Sequence, residues 1–180
     1  MAKISKEEAG WVISLSWLSA LEETARDFHG TRPRQFCERA YEHAVQHYLR
    51  QLGEEFGLRT EKVDSIRAAV EQYIQMGVVG CLFQDASDFE LLSPNPSRLE
   101  ITIHNCKYLK SCHALIDEGL TVKDLTCARM GCFRAAVKSL ANLDCDYQLH
   151  SFDIDGDCPF ARCCHLNPVN YRLSHKTGPL

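Results

Sequence analysis

Over the first eighty residues the apolar positions recur at helical spacing. From 5 to 28, Trp11, Leu15, Leu18 and Leu21 fall on one stripe. Ser5 and Glu8 have the S-x-x-E form of a capping box, in which each side chain satisfies the other's orphan backbone donor. An amphipathic helix is predicted there. Pro33 suits a first helical position, and Phe36, Ala40, Ala44 and Tyr48 then share a face until Gly53 offers a stop, which predicts a second helix. A third follows Thr60 as its N-cap, with Val63, Ile66, Val70, Tyr73 and Ile74 inward, before Gly77 and Gly80 loosen the pattern.

The period changes at Phe89. Residues 89–92 and 99–103 flank Ser93-Pro94-Asn95-Pro96-Ser97, and Leu99, Ile101 and Ile103 alternate with Glu100, Thr102 and His104, so a hairpin with one wet face is predicted. Helical pieces cover 109–118 and 122–141, the second with Leu125, Ala128, Cys132, Ala135, Ala136 and Leu140 at helical offsets. A second hairpin joins 147–152 to 158–164 through Asp153-Ile154-Asp155-Gly156-Asp157. This order predicts an α+β fold, with N-terminal helices packed on a small antiparallel sheet of two hairpins and further helices. One domain over 1–180 is expected, with a helical half 5–84, a cysteine-rich α+β half 85–166 and a tail 167–180.

Charge and composition narrow the function. The 180 residues carry a formal charge of -4 with no run of like charges at either end, which removes the electrostatic footprint of a nucleic-acid binder. The longest apolar run, 78–83, is too short for a membrane span, and the N-terminus lacks the apolar stretch of a secretory signal, so a cytoplasmic location is expected. In a reducing compartment the ten cysteines do not read as a disulfide framework. Cys106, Cys112, Cys127, Cys132, Cys145, Cys158, Cys163 and Cys164 crowd between 106 and 164, a density that points to a metal site or redox chemistry.

Zinc takes about four thiolate or imidazole ligands, and iron-sulfur clusters are usually held by four thiolates. The candidate ligands are Cys106, Cys112, Cys127, Cys132, Cys158 and Cys163, at spacings looser than the C-x-x-C knuckle. An all-thiolate set favours an iron-sulfur cluster or zinc over magnesium or calcium. Cys127 and Cys132, five residues apart, lie about 140° apart around a helix, so they face one centre only if the helix starts between them or is distorted. Cys37, Cys81 and Cys145 read as small apolar packing residues.

His43 and His47 share a helix face without the glutamate of H-E-x-x-H and read as a solvated or half-buried face. His104, His113, His150 and His165 are near the thiols in sequence and are candidates for mixed ligation or for orienting a ligand. Asp153, Asp155 and Asp157 miss the glycine position and closing glutamate of a calcium loop. G-x-S-x-G, P-loop and G-x-G-x-x-G patterns do not occur, and Cys112-His113 and Cys164-His165 are neighbours in sequence only. Trp11, Trp17, Phe36, Tyr41, Tyr73 and Phe83 are bulky enough to line an apolar pocket, and equally able to fill a core.

Three stretches carry a resemblance: Asn105-Cys106-Lys107-Tyr108-Leu109-Lys110-Ser111-Cys112, then Thr126-Cys127-Ala128-Arg129-Met130-Gly131-Cys132-Phe133, and Gly156-Asp157-Cys158-Pro159-Phe160. Over about residues 85–165 the chain resembles the 4-vinyl reductase domain family. The resemblance implies an α+β domain similar to the trafficking-complex subunits, a pocket for small hydrophobic ligands, and in some members a thiolate metal site. It also implies a link to photosynthesis, through reduction of a tetrapyrrole vinyl group in chlorophyll or bacteriochlorophyll synthesis. Cys106, Cys112, Cys127 and Cys158 fall at the family's cysteine places, whereas Cys132, Cys163 and Cys164 are additions.

The expectation is therefore an accessory or binding protein. It would hold a cysteine-ligated iron-sulfur cluster or zinc, bind a hydrophobic small molecule such as a tetrapyrrole, or assist assembly of a pigment or metalloprotein complex. Partners would include a protein complex or a second copy of the chain, with no nucleic acid and no membrane span. The alternatives are an enzyme, either a tetrapyrrole vinyl reductase or a cysteine-dependent hydrolase, and a thiol redox sensor.

Overall fold

The structure is a computed structural model that describes residues 5–30, 33–95, 98–150 and the backbone of 162–168. Three long helices come first: α1 (Lys6–His29), α2 (Arg34–Phe56) and α3 (Ile66–Val79). A 3-10 turn (Ala86–Asp88) leads into a hairpin of β1 (Phe89–Asn95) and β2 (Arg98–Ile103), then α4 (Leu109–Asp117), a second 3-10 turn (Val122–Asp124), α5 (Ala128–Ala141), β3 (Cys145–Leu149) and β4 (Arg162–Pro168). The strands form one antiparallel sheet in the order β1-β2-β4-β3, so the two expected hairpins are joined through β2 and β4. The chain is an α+β protein. No helix among the described residues is long and apolar enough to cross a membrane.

Local chemistry moves several boundaries. α2 runs through Gly53 and stops at Gly57, whose φ of 70° is the left-handed conformation glycine adopts without steric cost. Its buried stripe is Cys37, Tyr41, Val45 and Leu52 with Glu42, whereas Phe36 and Ala44, expected inward, are exposed. Alanine suits either face of a helix, so the alanines misled the phase, and the larger Tyr41 and Val45 set it. The N-cap of α3 is Ser65, not Thr60; the Ser65 hydroxyl accepts from the Ala68 N–H at 3.2 Å. The helix expected over 122–141 is broken, because the Asp124 carboxylate accepts from both the Thr121 N–H and its hydroxyl, closing a separate turn before α5 begins.

The second hairpin is shifted relative to expectation. β3 starts at Cys145 and β4 at Arg162, with Leu149 opposite Cys164 and Cys145 opposite Pro168. The acidic turn 153–157 and Cys158 lie outside the described residues, and so do the tail from 169 and the Glu8 side chain of the expected capping box.

One core runs across both halves of the chain. Leu99, Ile101 and Ile103 of β2 pack under Val70, Tyr73 and Ile74 of α3 and Met130, Phe133 and Val137 of α5. Tyr73, Phe83, Phe89 and Phe133 meet edge-on or tilted, with centroids 4.9–6.4 Å apart, geometries favoured by their ring quadrupoles. α5 is held to α2 on its other side, where Glu42 accepts from Arg134 at 3.0 Å, Lys138 at 3.2 Å and Arg39 at 2.6 Å. α1 is tied in more lightly, by buried Ala25 and by Glu22, which accepts from the Tyr41 hydroxyl at 2.6 Å.

Candidate functional site

The thiols of interest hang on the connections around α5. Cys106 sits half-buried in the bend between β2 and α4, just after Asn105, whose φ is 50°. Cys127 is the N-cap of α5 and is 1% exposed, and Cys132 lies one turn further along that helix. The helix therefore starts between the two, one of the two arrangements that free them from opposite faces. Cys106, Cys127 and Cys132 all pack against the main core, and all three lie close enough to the Tyr108 hydroxyl to bear on its ionisation. Burial is the main reason that Tyr108 is pushed up to about 12, with Arg129 opposing the rise.

The remaining candidates are placed differently. Cys112 is buried on α4. Cys163 and Cys164 lie on β4 opposite Thr102 and Ile101, and Cys158 falls outside the described residues. Among the described residues no three of His, Cys, Asp and Glu come close enough together to hold a metal ion. The soft donors near Tyr108 suit zinc or iron-sulfur chemistry in type, but these three do not themselves converge on one centre, and Cys158 and Cys163 are the candidate thiols whose side chains are not described. Of the residues read as packing, Cys37 and Cys145 are 1% and 2% exposed, whereas Cys81 is exposed, in a left-handed turn with φ 57° after α3.

Cys132, Cys145 and Cys37 are held toward the neutral thiol. Burial pushes the Cys132 thiol up to about 11 despite the nearby Arg129 and a hydrogen bond to Tyr73, and it pushes Cys145 up to about 12 and raises Cys37. An activated nucleophile needs the opposite shift. A metal would have to displace the Cys132 proton as it binds, which makes affinity rise with pH.

Beside the thiols opens a cavity of about 330 Å³. Its floor is buried Phe83, Phe89, Ile103 and Arg129; half-buried Trp11 of α1 lies on its wall, and exposed Glu7 and Lys107 stand on its rim. Phe83 can lie flat there because Gly77 of α3 has no Cβ; a methyl group at 77 would run into the Phe83 ring. Asp88, also on the wall, accepts from the Asn105 amide at 2.9 Å, and His104 meets Glu90 at 3.0 Å.

Arg129 is the residue that sequence reading missed. It is only 6% exposed, and its guanidinium lies over Phe83 at 4.4 Å, Tyr108 at 5.2 Å and Phe89 at 5.8 Å. The signal was available: Arg129, Phe133, Ala136 and Leu140 recur at i, i+4, i+7 and i+11, so the arginine stands in register with the buried stripe of α5. Of the aromatic candidates, Tyr41, Tyr73 and Phe83 fill the core, whereas Trp17 is 76% exposed and Phe36 is exposed as well. His43 and His47 are exposed on α2, as expected of a solvated face.

A scan against protein-family models finds no match for this chain, and a search of curated proteins finds none.

Proposed function

We propose that this is a non-catalytic binding or accessory protein. It takes a hydrophobic small molecule in the cavity between α1, the end of β2 and the start of α5. A thiolate-held zinc ion or iron-sulfur cluster sits beside that cavity, its ligands drawn from among Cys106, Cys112, Cys127, Cys132, Cys158 and Cys163. The observation that carries the reading is adjacency: Arg129 lines a cavity with aromatic and polar walls and bears on the ionisation of the Cys132 thiol and of Tyr108, the tyrosine near which Cys106 and Cys127 also lie. The resemblance to the 4-vinyl reductase domain family supports both parts, a ligand pocket and a thiolate site. A cavity of about 330 Å³ lies at the small end of the 300–1,000 Å³ usual for ligand pockets, which favours one or two rings over a whole tetrapyrrole. The raised thiols weigh against a cysteine-dependent hydrolase.

When bound, the metal would lock the start of α5 to the β2–α4 bend. Metal analysis and an absorption spectrum of anaerobically purified protein test this part. Zinc, or iron with broad visible absorption, is the expected result, diminished in Cys132→Ser; folded, fully reduced, metal-free protein overturns it.

A further inference from the structure

We propose that the cavity beside Trp11 is a binding site for an apolar carboxylic acid, with the Arg129 guanidinium as the carboxylate's partner. The inference rests on the ligand-binding part of the function proposed above and is independent of its metal part.

Arg129 is 94% buried, and its Nε has no hydrogen-bond partner. Among the described residues no carboxylate lies within 4 Å of it, while Arg34, Arg39, Arg67, Arg98 and Arg134 each have one. The neighbours it does have are the faces of Phe83, Tyr108 and Phe89. Such cation–π contacts return less than the burial of an unpaired ion costs. The deficit is met when an anion enters, and the cavity that Arg129 lines is where it can enter.

The rest of the wall says what the anion carries. Phe83, Phe89, Ile103 and Trp11 offer ring faces and a branched aliphatic to an apolar body. The guanidinium fork matches a carboxylate with two parallel hydrogen bonds. Lys107 adds a second positive charge at the rim, against Glu7 and Asp88, of which Asp88 is already engaged with Asn105.

The test uses the whole chain and two probes of one shape, 3-phenylpropanoate and its neutral amide, 3-phenylpropanamide. Calorimetric titration is run on the protein as purified and after chelation. The acid is expected to bind about tenfold to a hundredfold more tightly than the amide, in both preparations, and to change the emission of Trp11 but not that of Trp11→Phe. Arg129→Met is expected to abolish that ratio. Arg129→Lys keeps the charge without the fork and is expected to keep part of it. Equal binding of acid and amide to the wild-type protein overturns the carboxylate proposal while leaving an apolar-ligand site standing. So does an acid preference that survives in Arg129→Met. Failure of both probes to bind overturns the carboxylate site and the apolar-ligand reading of this cavity together. The wild-type comparison needs no variant to fold.

Discussion

Helices α1 and α5 both read as amphipathic in sequence, and the fold uses them in opposite ways. α5 is enclosed: Met130, Phe133, Ala136 and Val137 are fully covered, with the sheet on one side and α2 on the other. α1 is longer by ten residues, yet Val12, Ile13, Trp17 and Phe28 stand 57%, 60%, 76% and 80% exposed. Its stripe of Trp11, Leu15, Leu18 and Leu21 is covered only in part, and Leu21 is exposed. Periodicity says which face of a helix can be buried; how much is buried depends on what stands opposite. For α5 two layers stand opposite, for α1 mainly the Tyr41 and Ala25 contact and one wall of the cavity.

Paired substitutions sharpen that contrast. Phe133→Ala removes the ring at the centre of the aromatic cluster and should cost about 3–5 kcal/mol in a urea titration. A loss below about 1 kcal/mol would mean that α5 is not the enclosed helix described here. Next comes a glycine pair. A methyl group at Gly131 of α5 would collide with the Tyr41 ring, which is itself hydrogen-bonded to Glu22, so Gly131→Ala should destabilise by about 1–3 kcal/mol. The same change at Gly10 of α1 meets nothing within 4 Å and should stabilise by about 0.5–1 kcal/mol through helix propensity. Opposite signs for one substitution in two helices are the expected reading; equal signs would erase the distinction.

The α2–α5 tie adds a pH signature. Burial opposes ionisation of Glu42, but hydrogen bonds from Arg39, Arg134 and Lys138 outweigh it and hold the carboxyl below the usual carboxylate range. A folded-state pKa below the unfolded one stabilises the fold at neutral pH, an effect lost as pH falls through the folded value. The melting temperature of the wild-type protein should therefore drop more steeply on acidification than that of Glu42→Gln, and parallel curves would show that the tie contributes nothing. The smallest effect is expected at Trp17: Trp17→Ala should shift stability by less than about 0.5 kcal/mol, because that ring is 76% exposed.

Much of the fold was legible in local chemistry. The alternation of Leu99, Ile101 and Ile103 placed β2, and all three are buried as the pattern required. The helical order and the two hairpins were legible too, but their junction through β2 and β4 was not, because the pairing of residues sixty apart leaves no trace in either strand's own pattern. The phase of α2 was misread through its alanines, and the start of α3 through one polar residue chosen over another. At the site, the thiol density drew attention to Cys106, Cys112, Cys127, Cys132, Cys158 and Cys163, and the structure brings Cys106, Cys127 and Cys132 near one tyrosine. Arg129 escaped notice because an arginine on a buried stripe looks like an exception until its neighbours are known.

The sequence by itself determined the element types, the alternation that makes a one-faced sheet, and the crowding of thiols around the ends of those elements, because each follows from spacing along the chain. Only the tertiary structure decided which apolar stripe is enclosed and which is left open, and that a buried arginine lines a cavity with no carboxylate within 4 Å of it among the described residues. Burial and charge pairing are properties of residues far apart in sequence, and they exist only once the layers close.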